Sequence, residues 1–183
     1  MIGVEVHSNI HQVVAEWRLL TDGLVNKAIV RALNRAQDQA ATAANREIRK
    51  VYKIKAGAVS AAFKKRRAST KGAVMSAVLE VRGKRIGLIE FTPRKTAKGI
   101  TVQIKVDAGR KLLPGSFIAT NSHTGYRGVF RRVGKSRYPI VNLRSITVPQ
   151  AFYNRTVLKA INQVANESFE KTYRQQVKYL RGK

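Results

Sequence analysis

The chain has 183 residues, with 36 Lys and Arg against 10 Asp and Glu and a formal net charge of +26. This length suits one domain, and a hydrophobic content of 44% argues against intrinsic disorder. The lack of cysteine excludes disulfides and thiolate metal sites, and no apolar run approaches the roughly 20 residues of a membrane span. No signal-peptide pattern opens the chain, so we expect a soluble protein made in a cytoplasm, without a membrane partner. The charge excess predicts a polyanion or an acidic protein surface as partner.

The first third of the chain reads as mostly helical. A short strand over Gly3–Val6 precedes an amphipathic helix, capped by Ser8, that ends near Asp22. A longer helix with an alanine-rich apolar face is predicted over Leu24–Val51, and a short one within Lys55–Phe63. The alanines indicate close packing on a sheet or on another helix.

The hydrophobic period changes to two from Ala73 onward. Strands are predicted over Ala73–Val81, Arg85–Phe91 and Ile100–Asp107, and they should form an antiparallel sheet with one face in water. The polar connection Thr92–Gly99 is longer than a tight hairpin, so we expect a mobile contact loop there.

Turn signals dominate the next region. Pro114-Gly115 predicts a turn before an extended segment, and further extended runs are expected at Gly128–Arg132 and from Tyr138-Pro139-Ile140. Pro149 suits the first turn of a final helix over Gln150–Tyr179.

These elements predict an α+β fold. We expect a single domain over residues 1–183, with a long N-terminal helix and a C-terminal helix packed on an antiparallel sheet. The region before the last helix forms a long loop insertion in this prediction, and residues 181–183 form a frayed tail.

Two segments concentrate the positive charge. The first is the run Lys64–Arg67, and the second lies in a stretch without any Asp or Glu between Asp107 and Glu167. A charge run is usually a solvated face, but the lack of nearby carboxylates in the sequence leaves a contact with an anion equally open. The candidate contacts to DNA or to an acidic partner are Lys64, Lys65, Arg66, Arg67, Arg127, Arg131, Arg132, Lys135 and Arg137.

Aromatic residues are interleaved with the second basic segment. Exposed rings at Tyr126, Phe130 or Tyr138 could stack on bases while arginines bind phosphates. The alternative is that Phe130 and Tyr138 are core residues of short strands. We expect that alternative for Phe130, while the sequence leaves Tyr126 open.

Signals for catalysis are weak, so we expect neither an enzyme nor a cofactor or metal site. Of the three histidines, His7 and His11 have no third ligand nearby in the sequence, and His123 lies in a turn-rich loop where histidine is usually only a polar residue. Carboxylates on three consecutive predicted strands could lie close enough together to bind a metal ion. Each of them also fits the solvent-exposed face of its strand, where no such role is needed. These carboxylates are Glu80, Glu90 and Asp107.

Several phrases together resemble the minor tail protein Z family of tailed phages and prophages. A turn like IPGAFIA, a G-VFxR run, a PI-x-x-L phrase and a closing S-x-x-VPQxF occur in that order. Here they are Leu113–Ala119, Gly128–Arg131, Pro139–Leu143 and Ser145–Phe152. Arg31–Arg35, Arg46–Arg49 and Ile86–Phe91 also look like the family, so the resemblance spans Leu24–Tyr153 and departs at Glu90-Phe91-Thr92.

The resemblance implies a structural virion protein that completes the tail at its head-proximal end and supports head–tail joining. Its partners would be other tail and neck proteins and DNA in the tail channel. It would act as a homo-oligomeric ring in the virion tail, assembled in the cytoplasm of the host bacterium. The alternatives are a free-standing, nonspecific nucleic-acid-binding protein and a small metal-dependent nuclease.

Overall fold

The structure is a computed structural model that describes residues 3–4, 22–71, 74–122 and 124–181. The predicted helix after Ser8, the three histidines and residues 182–183 of the predicted tail lie outside the described residues. Among the residues that are described, no helix combines the length and the apolar character needed to cross a membrane.

The described chain contains four helices, one 3-10 turn and eleven short strands. The helices are α1 (Asp22–Val51), α2 (Ala56–Ser60), α3 (Val148–Phe152) and α4 (Arg155–Arg181), and the 3-10 turn is Leu88–Phe91. The strands are β1 (Gly3–Val4), β2 (Phe63–Arg66), β3 (Val78–Val81), β4 (Arg85–Gly87), β5 (Arg94–Thr96), β6 (Gly99–Val102), β7 (Lys111–Pro114), β8 (Ser116–Thr120), β9 (Arg127–Arg132), β10 (Ile140–Asn142) and β11 (Arg144–Thr147). The predicted α+β class is confirmed.

The chain divides into two compact units. The helical unit comprises Met1–Ala44, Phe63–Val81 and Arg155–Lys183. The strand-rich unit comprises Asn45–Ala62 and Arg82–Asn154. A single domain over the whole chain stays a prediction.

The core of the helical unit lies between the first part of α1 and the second half of α4. Small residues at helical spacing, such as Ala28, Ala32 and Ala36, are buried on α1 and let the backbones approach closely. They pack in one cluster with Phe169 and Tyr173, whose rings stack at 5.9 Å between centroids. The alanine-rich face of α1 is therefore a packing face, as predicted.

The sheet of the helical unit has the antiparallel order β1-β3-β2. Polar side chains of α1 bind its backbone. The Nε2 atom of Gln37 donates to the carbonyl oxygens of Arg66 (2.9 Å) and Val78 (2.7 Å). Asn34 makes two further bonds to the backbone of Ala68. These bonds fix the position of the strands against α1.

The strand-rich unit holds three small antiparallel sheets, β10-β9-β8, β11-β4 and β5-β6-β7. Its fully buried side chains include Phe91, Ile100, Val129 and Phe152. Ser116, also buried, accepts a hydrogen bond from the Ile100 amide and donates one to a backbone carbonyl. The predicted loop insertion is thus largely built from strands, including the expected ones near Pro114, Gly128 and Ile140.

The predicted single sheet is wrong in its extent and in its pairing. Two of its strands are shorter than expected, since β3 covers only Val78–Val81 and β4 gives way to the 3-10 turn. The third ends at Val102, after which the backbone of Ile104 and Val106 bonds to residues 53 and 51 instead of to a strand of the sheet. Strands β3 and β4 also belong to different sheets.

The expected mobile loop at Thr92–Gly99 is instead a hairpin. Strands β5 and β6 pair in the register Thr96↔Gly99, and the Thr96 hydroxyl donates to the Gly99 carbonyl at 2.8 Å. The side-chain bond closes the turn, which the polar composition alone did not indicate.

The predicted helix ends were partly right. The long helix over Leu24–Val51 is confirmed as α1, and the short helix after Lys55 as α2. The final helix is interrupted at Tyr153-Asn154, so α3 and α4 are separate. Pro149 lies in the first turn of α3, where Thr147 and Gln150 form a capping box.

Candidate functional site

The first basic segment, Lys64–Arg67, lies on and just after β2. This strand is an edge of its sheet, and all four basic residues are exposed. Opposite Lys64 in the antiparallel register is Glu80 of β3, and Lys65 is opposite Leu79.

Carboxylates from elsewhere in the chain lie against this segment. Asp38 of α1 accepts from Lys65 Nζ at 2.7 Å and from Arg67 at 3.2 Å. Arg66 Nε lies 2.5 Å from an oxygen of Glu80, which is buried. The premise that no carboxylate is near was therefore wrong, because the acidic partners come from a helix and a neighbouring strand distant in sequence.

Asp38 is held in its charged form. Partial burial by itself would raise the pKa of Asp38, but the hydrogen bonds and charges of Lys65 and Arg67 outweigh it, and the pKa lies below its ordinary value. Because the folded-state pKa is depressed, the stabilisation exists above the unfolded-state pKa and disappears as pH falls through the folded one.

We therefore expect Asp38→Asn to lower the free energy of unfolding at pH 7 by about 1 kcal/mol. The difference from the parent protein should be smaller at pH 3 than at pH 7, because protonation begins to remove the charge of Asp38 as pH falls toward its lowered pKa. Urea denaturation at the two pH values measures it. Glu170→Gln is the control, since Glu170 lies 3.8 Å from Arg174 on an exposed face of α4 and should change little. Equal stability of Asp38→Asn and parent at pH 7 would contradict the role of this carboxylate.

The second basic segment lies on β9, the central strand of its sheet, and on the exposed residues 133–139 that follow. Side chains alternate between the two faces of a strand, so Arg127 and Arg131 share a face with the buried Val129. Arg132 lies on the opposite face, with Phe130. The five candidate residues of this segment therefore do not form one surface.

One face of this sheet carries a groove of about 510 Å³. Its floor is apolar, from Phe117 of β8, Phe130 of β9 and Ile140 of β10. Arg132 and Arg137 also line it, so the structure brings these two candidates together. Lys135 is exposed but does not line the groove.

Each arginine of the groove lies over an aromatic ring. The guanidinium carbon of Arg132 is 5.8 Å from the centroid of Phe117, and that of Arg137 is 5.7 Å from the centroid of Tyr138. Such cation–π contacts hold the guanidinium in place. Phe117 carries no signal of this role in the sequence, because its partner Arg132 is distant in the chain, whereas Arg137 and Tyr138 are adjacent.

The three aromatic candidates differ in environment. Phe130 is half-buried, with its ring 6.4 Å from Phe117, which agrees with the expected packing role. Tyr138 is 65% exposed, so the alternative in which it is a core residue does not hold. Tyr126 is exposed but packs edge-on against Phe130, and its hydroxyl accepts from Asn142 at 3.2 Å.

The positive charge is concentrated in the strand-rich unit. By sequence, this unit has 20 Lys and Arg against three Asp and Glu, whereas the helical unit has 16 against seven. Of the two acidic residues near predicted strands here, Glu90 is 3.4 Å from Lys55 and Asp107 is exposed. In the described residues, no group of three His, Cys, Asp or Glu could hold a metal ion.

The fold and these surfaces define a strongly basic α+β protein whose more charged unit presents an arginine-lined groove. The family model of prophage minor tail protein Z matches residues 9–181, so the chain belongs to that family. This confirms the resemblance and extends it toward both ends of the chain. Family membership makes the protein a structural component of a phage tail, with other tail proteins as partners. No curated protein and no solved structure matches the chain.

Proposed function

We propose that this protein completes the phage tail at its head-proximal end, where it supports head–tail joining and the passage of DNA. The family supplies the location in the tail. The observation that carries the rest is the charge of the strand-rich unit, 20 basic residues against three acidic ones. So little internal neutralisation favours a partner that is itself a polyanion.

Charge also constrains how copies would assemble. Protomers of net charge +26 repel one another, so a ring of them needs an anion to offset the repulsion. DNA in the tail channel, or acidic neck surfaces, would supply that charge. In this proposal the ring assembles in the cytoplasm of the host bacterium, and its basic segments bind the anion while other surfaces dock on tail subunits.

The first experiment is deletion of the gene from its phage, followed by electron microscopy and infectivity assays. We expect tails of normal length that fail to join heads, or joined particles that do not deliver DNA. Supplying the intact gene in trans should restore infectivity and is the control. Intact, infectious particles without the protein would refute a completion role and leave nonspecific nucleic-acid binding as the alternative function.

Measuring the binding of duplex DNA tests directly whether DNA is the anionic partner. The affinity should fall with salt at a log–log slope of about −0.9 per phosphate neutralised. Replacing the five basic residues of the second segment by glutamine should make that slope shallower by up to about 4.5. These residues are Arg127, Arg131, Arg132, Lys135 and Arg137.

The matched control removes five exposed basic residues of α4 in the helical unit, and should change the slope less. They are Arg155, Lys159, Lys171, Arg174 and Lys178. Circular dichroism checks that both variants are folded. A slope that does not change in the first variant would assign the second segment to contacts with proteins rather than with DNA.

A further inference from the structure

The groove on the β10-β9-β8 sheet has features that a purely electrostatic contact with DNA does not require. A duplex phosphate backbone is bound by exposed lysines and arginines on an open surface. Here two arginines border a concave site of about 510 Å³ with an aromatic floor. Sites of this size and composition bind small flat groups.

We propose that this groove binds one unpaired nucleotide of a DNA strand, with the base against the aromatic rings and the phosphate on Arg132 and Arg137. The inference rests on the proposed function, since it takes DNA as the anion. It adds that the protein contacts DNA where a base is unpaired, in addition to any contact with the duplex backbone.

The arginines are suited to a phosphate. A guanidinium offers five N–H donors in one plane and can bind two oxygens at once. Neither Arg132 nor Arg137 forms an ion pair with a described carboxylate, and the sequence has no acidic residue between Asp107 and Glu167. Their donors therefore remain available, while Phe117 and Tyr138 fix their positions.

The aromatic rings are suited to a base. Tyr138 is 65% exposed and lines the groove beside Phe117, Phe130 and Ile140. An exposed ring next to arginine is the arrangement with which proteins stack single-stranded bases, because every base has a flat π surface. The hydroxyl of Thr120, which also lines the groove, adds a group that can donate or accept a hydrogen bond.

An acidic peptide is the competing occupant, and two observations favour the nucleotide. Most of the apolar lining is aromatic and flat rather than aliphatic, with Ile140 as the one large aliphatic side chain among the groove residues. Each of the two cations lies over an aromatic ring, so an anion and a flat group bound here would be next to each other. A nucleotide meets that condition.

The experiment measures binding of the full chain to fluorescein-labelled 15-mer oligothymidylate and to a labelled 15-base-pair duplex, by anisotropy at one fixed salt concentration. Tyr138→Leu keeps an apolar side chain but removes the stacking ring. We expect it to weaken binding of the single strand about tenfold, the loss of one stacked base, and to change duplex binding by less than twofold.

A pair of double variants separates the groove from bulk charge. Arg132→Gln with Arg137→Gln removes two charges at the groove, and Arg127→Gln with Arg131→Gln removes two on the same strand-rich unit that do not line it. We expect the first pair to weaken single-strand binding at least fivefold more than the second. The second pair of substitutions should weaken binding of the single strand and of the duplex by the same factor.

Three results would overturn the inference. The first is that Tyr138→Leu leaves single-strand binding unchanged, and the second is that the two double variants weaken single-strand binding equally. The third is tight binding of polyglutamate that depends on Tyr138, which would assign the groove to an acidic peptide. Failure of the inference alone leaves duplex binding and its salt slope intact. Failure of the proposed function shows instead as infectious particles without the gene.

Discussion

Replacing Gly99 by alanine should lower the free energy of unfolding by about 3 kcal/mol or more, one of the two largest effects we expect from a single substitution. Gly99 has φ +142°, a backbone conformation that residues with a side chain rarely adopt. A Cβ atom there would lie 2.3 Å from the carbonyl oxygen of Leu113 and 3.2 Å from the amide nitrogen of Gly115. Both are backbone atoms, one in β7 and one in the turn that follows it, so they cannot rotate away.

Two other glycines separate the causes of that loss. Gly115 also has a positive φ, +66°, but nothing lies within 4 Å of its added Cβ, so Gly115→Ala should cost only about 1 kcal/mol. Gly109 has open space and no positive φ, and Gly109→Ala should lie within about 0.5 kcal/mol of the parent. Urea denaturation measures all three. If Gly99→Ala cost no more than Gly115→Ala, the strands would be shifting to accept the methyl group.

The helices were predictable because their cause is local. The apolar residues of α1, including its alanines, recur at helical spacing within one continuous segment of sequence. Pro149 and the capping-box residues Thr147 and Gln150 are likewise close together in sequence and mark the start of α3. The interruption at Tyr153-Asn154 carried no such signal, since neither residue is a glycine or a proline.

The sheets were less predictable because pairing is a long-range choice. β3 pairs with β1 and β2 rather than with β4, which follows it after three residues. Nothing in the alternation of Val78–Val81 distinguishes those partners. The early end of β6 coincides with a change of partner, since Ile104 and Val106 bond to the backbone of Lys53 and Val51, and periodicity does not reveal such a change.

In the candidate site, too, local features could be predicted from the sequence and long-range contacts could not. The basic residues of β9 were found from sequence, and the strand alternation that separates Arg131 from Arg132 follows once β9 is accepted as a strand. The neighbours of Lys65 and Arg67 could not be found, because Asp38 reaches them through the packing of α1 on the strands. Charge counts along the sequence therefore overstate how much of the Lys64–Arg67 charge is left for a partner.

The second large effect concerns Gln37, a buried polar residue of α1 that is 3% exposed. Its amide donates both hydrogens to strand carbonyls, Arg66 and Val78, which are themselves opposite each other in the β2–β3 register. Gln37→Leu keeps a side chain of similar volume but leaves the two carbonyls without the amide that donates hydrogen bonds to them. Each such loss costs about 1–3 kcal/mol, so we expect about 2–6 kcal/mol in total.

Gln37→Glu is the sharper test, because it changes charge and donors while keeping the shape. Its carboxylate would face the oxygens of Arg66 and Val78, so the folded state should favour the protonated acid and raise its pKa above the unfolded value of about 4.3. The stability lost should therefore grow as pH rises from 4 to 7, because deprotonation of the new carboxyl is less favourable in the folded than in the unfolded state. Gln175→Leu, on an exposed position of α4, is the control and should stay within about 0.5 kcal/mol of the parent. A loss of stability for Gln37→Glu that did not change with pH would mean that water reaches the carboxylate. The two hydrogen bonds from Gln37 to β2 and β3 would then contribute less to stability than their lengths indicate.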